Sequence, residues 1–280
     1  MESKIAKALR LRHEPVAILW ENERPAGAIG FKPGRFGCVM SLFSAVATTG
    51  CVAAFDRETY GCWGGGVGLG FGNTYRAFPG GEECFSWFLS SGNAAWETGR
   101  TQAETLKESL GKGFAESFLE GEGYLRNPEQ VKAFIESLPI REIPARYAVF
   151  APLRSLDEKL PKAKVVTFLA KPDQVAALVV LAQRTKEIPC EAVGVPWAAG
   201  CQSIGILSYH EAERKNPRAI LGLMDISARR HARKLGEDVL SLTVPFSMFH
   251  AMENALGGSF IERQTWKSLL SEHGGKGEAW

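Results

Sequence analysis

Three kinds of motif are missing from this 280-residue chain, and each absence takes support from a class of function. None of the six cysteines stands in a Cys-x-x-Cys pair, which leaves out a zinc ribbon, a thioredoxin-type redox site and a ferredoxin-type cluster run. No G-x-G-x-x-G in register and no G-x-x-x-x-G-K-[ST] occur, so neither a Rossmann fingerprint nor a Walker loop supports nucleotide binding. No G-x-S-x-G elbow is present, and a serine-hydrolase reading has no foothold. The histidines, His13, His210, His231, His250 and His273, include no helical pair at metal-ligand spacing, and each is expected on the surface.

An excess of charge is also lacking. The 33 basic residues are offset by 31 acidic ones, for a net charge of +2, which argues against an electrostatic nucleic-acid binder. The basic cluster Arg229, Arg230, Arg233 and Lys234 reads as a solvated helix face. The longest apolar run, Val175 to Ala182, is far too short to cross a bilayer. The charged, amphipathic amino terminus has no apolar core of a secretory signal. These features lead us to expect a cytoplasmic protein that binds neither membrane nor nucleic acid. Its cysteines are then free thiols, metal ligands or catalytic groups rather than disulfides.

Glycine is what the chain has in concentration. Residues 61–72 read Gly-Cys-Trp-Gly-Gly-Gly-Val-Gly-Leu-Gly-Phe-Gly, seven glycines in twelve positions. Glycine loses more backbone freedom on folding than any other residue, so such a tract is tolerable only where the chain needs positive φ or close backbone approach. Cys62 at its head offers a soft ligand or a nucleophile, and the amides behind it, at Trp63, Gly64, Gly65 and Gly66, can cradle an anion or a cofactor. The plain alternative is a tight loop over a crowded core, with Cys62 as a small buried hydrophobe.

Elsewhere, strand-like and helical segments alternate. Strands are expected over Pro15–Trp20, Cys51–Asp56, Tyr147–Phe150, Val165–Ala170, Val193–Val195 and Val239–Val244. Helices are expected at the amino terminus, over 38–48, Glu82–Leu89 and Thr101–Leu119, from Pro128 behind an Asn127 cap, and from Pro172, Cys201, Asp225 and Pro245. The pattern favours a mixed α/β architecture, with α+β as the variant, in which helices cover a sheet. Residues 1–280 are expected to form a single domain of one or two lobes, and the prolines at 139 and 144 mark a candidate seam near 139–146.

Cys38, Cys51, Cys62 and Cys201 each follow a glycine, whereas Cys84 and Cys190 do not. A preceding glycine lets the backbone bend sharply beside a bulky group. Cys38 and Cys201 also stand at expected helix starts, where the helix dipole favours the thiolate. Cys51 begins a strand without such support, Cys84 is expected in the core, and Cys190 is undecided. Asp56, Arg57 and Glu58 end a strand just before the glycine tract, which makes them candidates for substrate orientation and proton transfer, or a solvated turn. Asp225 and Arg229 read most simply as an N-cap with an i,i+4 charge pair.

Several segments together resemble one prokaryotic family: Gly37–Met40, Phe55–Gly72, Phe78–Gly81, Ala199–Gln202, Asp225–Arg229, and Ser259–Phe260 with Trp266. The family is domain of unknown function 169, an archaeal cysteine-rich family without assigned chemistry, and the likeness spans nearly the whole chain. It implies a cytoplasmic protein of anaerobes, and it places family cysteines at Cys38, Cys62 and Cys201 while Cys51, Cys84 and Cys190 are peculiar to this chain.

The resulting expectation is a [4Fe–4S] cluster on Cys38, Cys62 and Cys201 with one iron open to substrate. Trp63 would shield it, and Gly64, Gly65, Gly66 and Gln202 would surround it. Such a protein would carry out lyase-type, desulfurising or reductive chemistry on a small polar molecule, with an electron donor as a further partner. Two alternatives stay open. One is a non-catalytic binding module, closed by Cys51 as fourth ligand; the other is metal-free thiol chemistry at Cys62.

Overall fold

The computed structural model describes residues 1–156, 163–188 and 191–274. Cys190 lies outside the described residues, and the side chain of His273 is likewise undescribed. Seven strands, β1 (Val16–Glu21), β2 (Ala53–Phe55), β3 (Tyr147–Pro152), β4 (Val165–Ala170), β5 (Val193–Gly194), β6 (Ala219–Gly222) and β7 (Leu240–Pro245), form one sheet in the order β2-β3-β1-β4-β7-β6-β5. Only β5 and β6 pair in parallel; the other neighbours are antiparallel, with Ile18 opposite Phe150 on one side and Val165 on the other. The mixed α/β architecture is thus the one expected, although β6 was not anticipated.

The helices in chain order are α1 (Lys4–Ala8), α2 (Val39–Thr49), α3 (Trp63–Gly68), α4 (Gly81–Leu89), α5 (Glu97–Ser109), α6 (Lys112–Glu120) and α7 (Pro128–Ser137). They continue as α8 (Pro172–Gln183), α9 (Gly200–Gln202), α10 (Ser208–Ala212), α11 (Ile226–His231), α12 (Phe246–Asn254) and α13 (Gln264–Gly274). A π-helical turn over Ser203–Leu207 joins α9 to α10.

The period-2 alternation of a strand divides the sheet residues between two cores. Ala17, Leu19, Val149, Val166 and Phe168 enter one cluster, with α8, α12 and Trp266 of α13. Val16, Ile18, Phe150, Val165 and Leu169 enter the other, with α2, Cys201 and Ala228. Because both faces are covered, every residue of β3 and β4 is buried, which is why they read as nearly continuous apolar runs, with Thr167 of β4 satisfied by the Thr243 hydroxyl at 3.0 Å.

A third cluster, formed by α4 to α7 with Val67, Tyr75 and Phe78, stands beside the sheet. Its helices end at Leu138, just before the proline pair that marks the candidate seam. Asn127 caps α7 as expected, accepting the Gln130 N–H at 2.9 Å. The helix expected over Thr101–Leu119 is in fact two, because Gly111 adopts φ +91° and turns the chain between α5 and α6.

Candidate functional site

The glycine tract is not a loop. Residues 63–68 form the short helix α3, with Cys62 as its N-cap. The glycines let this helix lie directly on the Cys201 segment. A Cβ at Gly205 would stand 2.0 Å from the Gly68 carbonyl oxygen, and one at Gly68 would stand 2.7 Å from the Cys201 carbonyl carbon. No side chain fits between the two backbones, so close approach is what the sequence spends its glycines on.

Three separate segments meet here, and each brings a cysteine at a helix start. Cys38 is the N-cap of α2, Cys62 the N-cap of α3, and Cys201 lies in the single turn of α9. The preceding glycines account for the convergence. Gly61 has φ +81°, and a Cβ there would meet the Gly37 carbonyl oxygen at 2.4 Å, so the Cys38 and Cys62 segments touch through their glycines. A Cβ on Gly200 would lie 2.8 Å from the Ala228 side chain and 3.2 Å from Met40. Gly50, before Cys51, does something else: it ends α2 in the left-handed conformation.

Cys38, Cys62 and Cys201 all line one cavity of about 280 Å³. All three thiols are free, with Cys201 buried and the other two half-buried. The Cys62 sulfur accepts the Gly65 N–H at 3.3 Å, and the Cys201 thiol donates to the Gly64 carbonyl at 3.2 Å. Amides of Val39 and Gly64 also face Cys62, and those of Met40 and Ser41 face Cys38, favouring the thiolates. Burial outweighs them. It pushes the Cys38 thiol up to about 12 and raises Cys62 and Cys201, and the nearby Asp225 carboxylate and the mutual proximity of the thiols add to the rise. The expectation that helix starts alone would lower these thiols is therefore corrected: desolvation is the larger effect.

Among the described residues, no three His, Cys, Asp or Glu side chains are grouped so as to hold a single metal ion. The three cysteines share the lining of one cavity. Cys51 and Cys84 are not in the lining. Cys84 is fully buried in the α4–α7 cluster, as expected of a core residue.

Of the remaining expected residues, Trp63, Gly64 and Gln202 line the cavity, while Gly65 and Gly66 stand behind it in α3. Gln202 is fully buried; its carbonyl accepts the Ala199 N–H at 3.0 Å and its amide donates to the Tyr75 hydroxyl, which fixes the turn that carries Cys201. Asp56, Arg57 and Glu58 do not line the cavity. Asp56 accepts the Glu58 N–H at 3.0 Å and the Thr59 hydroxyl at 2.8 Å in a turn, and Arg57 pairs with Glu142 at 3.2 Å on the surface. The crevice rule that suggested them belongs to parallel sheets, and β2 pairs antiparallel with β3.

The charged groups at the cavity are instead Glu122, Asp225 and, exposed at its edge, His231. Asp225 caps α11 by accepting the Ser227 N–H at 2.9 Å and also accepts the Gly200 N–H at 3.3 Å, so one carboxylate holds two helix starts. Arg229 does not pair with it as expected; its guanidinium donates to the backbone carbonyls of Val239 at 3.0 Å and of Leu223 and Glu237. Crowding by the walls, with Asp225 nearby, pushes Glu122 up to about 7, although one side of it stays open to solvent. Glu122 carries no local sequence signal. Asp225 was legible only as a cap. Among the histidines, His13 is buried against the Leu235 carbonyl at 2.7 Å, contrary to the surface expectation, because an imidazole nitrogen there satisfies a buried acceptor.

The family model described as DUF169, uncharacterised ArCR, matches residues 4–255, and the chain belongs to that family, the one its sequence resembles. No curated protein matches the chain. No solved structure matches it. Among the described residues no helix is long and apolar enough to cross a membrane.

Proposed function

Taking membership of a family without assigned chemistry as the premise, we propose that this chain holds a [4Fe–4S] cluster on Cys38, Cys62 and Cys201 and acts as an enzyme on a small molecule. One observation carries the reading: three free thiols from distant parts of the chain line a single cavity, each at a helix start. Three cysteine sulfurs are the donor type that iron–sulfur clusters take. Cys51 lies outside the lining, which supports three ligands over four.

When bound, such a cluster would supply a Lewis-acidic or redox-active iron at its open position. The chain's own residues have defined tasks around it. The amides of Gly65, Gly64 and Val39 would stabilise Cys62 as a thiolate, and those of Met40 and Ser41 would stabilise Cys38. Thiols this far above their ordinary range stay protonated until a metal displaces the proton, so loading would release protons. Trp63, packed edge-on against Phe78 at 4.7 Å, would keep water from the sulfurs. Glu122, held up to about 7, suits proton transfer at neutral pH, a task that passes to it from Asp56, Arg57 and Glu58. The reaction is of lyase, desulfurising or reductive type, and the last requires an electron donor. A reducing, cytoplasmic setting suits the free thiols.

Anaerobic purification with iron and acid-labile sulfide analysis tests this. Four irons and four sulfides per chain, falling together in Cys38→Ser, Cys62→Ser and Cys201→Ser but not in Cys51→Ser, are expected. Protein that retains neither element after reconstitution overturns the proposal. Metal-free chemistry at Cys62 is disfavoured because burial raises that thiol.

A further inference from the structure

The walls of the cavity bear on what enters it. Two sets of aromatic rings face the space. On one side Trp63 packs against Phe78 at 4.7 Å, Phe78 against Phe88 at 5.5 Å, and Phe88 against Phe114 at 5.9 Å. On the other, Trp197 packs against Tyr124 at 5.6 Å and Phe134 at 5.0 Å. Glu122 is tied between them: its backbone N–H donates to the Phe88 carbonyl at 2.7 Å, and it precedes Tyr124 by two residues. Asp225 lies against the second set, with the Tyr124 hydroxyl 3.4 Å from its carboxylate.

Among the described residues no lysine or arginine lines the cavity, whereas two carboxyl groups do. Helix starts ordinarily favour anions, but several of these are already spoken for. Asp225 takes the Ser227 and Gly200 amides, and the Cys62 sulfur takes that of Gly65. The three raised thiols are neutral in the metal-free chain, so the carboxyl groups are what set the charge of the cavity there. An anionic substrate would therefore meet two carboxyl groups here, with His231 exposed at the edge; Ser117, Tyr124 and Ser227 could serve a neutral polar group, and what favours a cation is the set of aromatic rings beside the carboxyls.

We propose that the cavity selects a small organic cation of the alkylated onium type, its alkyl groups against the two aromatic walls and its charge balanced by Glu122 and Asp225. Aromatic faces attract such cations through their quadrupoles, most strongly where water is excluded. This deepens the proposed function by naming a substrate class, and it rests on that reading's assignment of the cavity as the reacting site, though not on the cluster being loaded. It replaces the open expectation of any small polar molecule.

The test is titration calorimetry on anaerobically purified protein at pH 8, in cluster-loaded and metal-free form, with choline, its neutral isostere 3,3-dimethyl-1-butanol, and acetate. Choline is expected to bind at least about tenfold more tightly than the alcohol, and acetate not to bind. Glu122→Gln should weaken choline about three- to tenfold and leave the alcohol unchanged, and Trp197→Leu should weaken both. Equal or tighter binding of the alcohol, binding of acetate, or no choline binding in the millimolar range in either form overturns the inference. Iron and sulfide are measured on the same samples, so the two proposals fail separately. Normal cluster content without cation selectivity removes only the substrate class. Selective choline binding by a chain that takes up no iron removes only the cluster.

Discussion

The two faces of the sheet are built from the same strands and end up with different properties. On the α8 side, Val175, Leu178 and Leu181 of a single long helix pack onto Val166, Phe168 and Leu242 as an ordinary closed core. On the other side, α3 and α9 are a few residues long, and backbone meets backbone through Gly68 and Gly205. Each fully buried aliphatic side chain contributes about 1.5–3 kcal/mol to the first face. The second buries Val16, Ile18, Phe43, Phe55 and Phe150 as fully, and beside that core its glycine-bearing backbones bring three helix starts, and three thiols, to one cavity. A closed core fills one side, and the other side carries its own core beside a cavity lined by three thiols.

The sharpest way to break this contrast is truncation in the closed face. Leu178→Ala, at a fully buried position, should cost about 2–5 kcal/mol in urea unfolding while the folded protein keeps its iron content. Iron lost at denaturant concentrations where the fold persists would couple the faces more tightly than we claim. Next in size is Gly205→Ala. The added methyl would press on the Gly68 carbonyl, and a loss of about 1–3 kcal/mol is expected together with impaired cluster loading, because the Cys201 turn must shift. Stability unchanged in that variant would mean that α3 and α9 do not meet as described.

A subtler comparison uses pH. Glu122 is raised in the folded chain from 4.5 to about 7, so between those values the folded state holds a proton that the unfolded state has released. Its contribution to stability is present below about 4.5 and is lost as pH rises through about 7. Glu122→Gln should flatten that part of the melting-temperature profile of metal-free protein. A slope identical to that of the parent chain would place the carboxylate in ordinary solvent. Smallest of all should be Arg57→Ala. Its pair with Glu142 is exposed on both sides, so a change below about 1 kcal/mol and full cluster content are expected; loss of iron there would return the Asp56–Glu58 turn to the site.

Much of the fold could be read before any coordinates, because local rules govern it. Short, largely apolar runs gave β3 and β4, and Asn127 with Pro128 gave the start of α7. The glycine before each cysteine was a true signal of crowding for Cys38, Cys62 and Cys201, yet the same dipeptide at Gly50-Cys51 only stops a helix. Local sequence could not separate the two cases, since what crowds a glycine lies far along the chain. Asp56 to Glu58 were drawn in for the converse reason: they are adjacent in sequence to Cys62 but sit on a turn facing away from the lining.

By itself the sequence determined the mixed α/β class, most of the strands and helices, and the family, because periodicity, caps and turn residues act over a few neighbours. Only the tertiary structure decided that Glu122 and Asp225 border the same cavity as the thiols, that two sets of aromatic rings line it, and that among the described residues no lysine or arginine does. Those facts depend on which distant segments pack together. Packing is a property of the whole chain, settled when the glycine-bearing backbones close on one another.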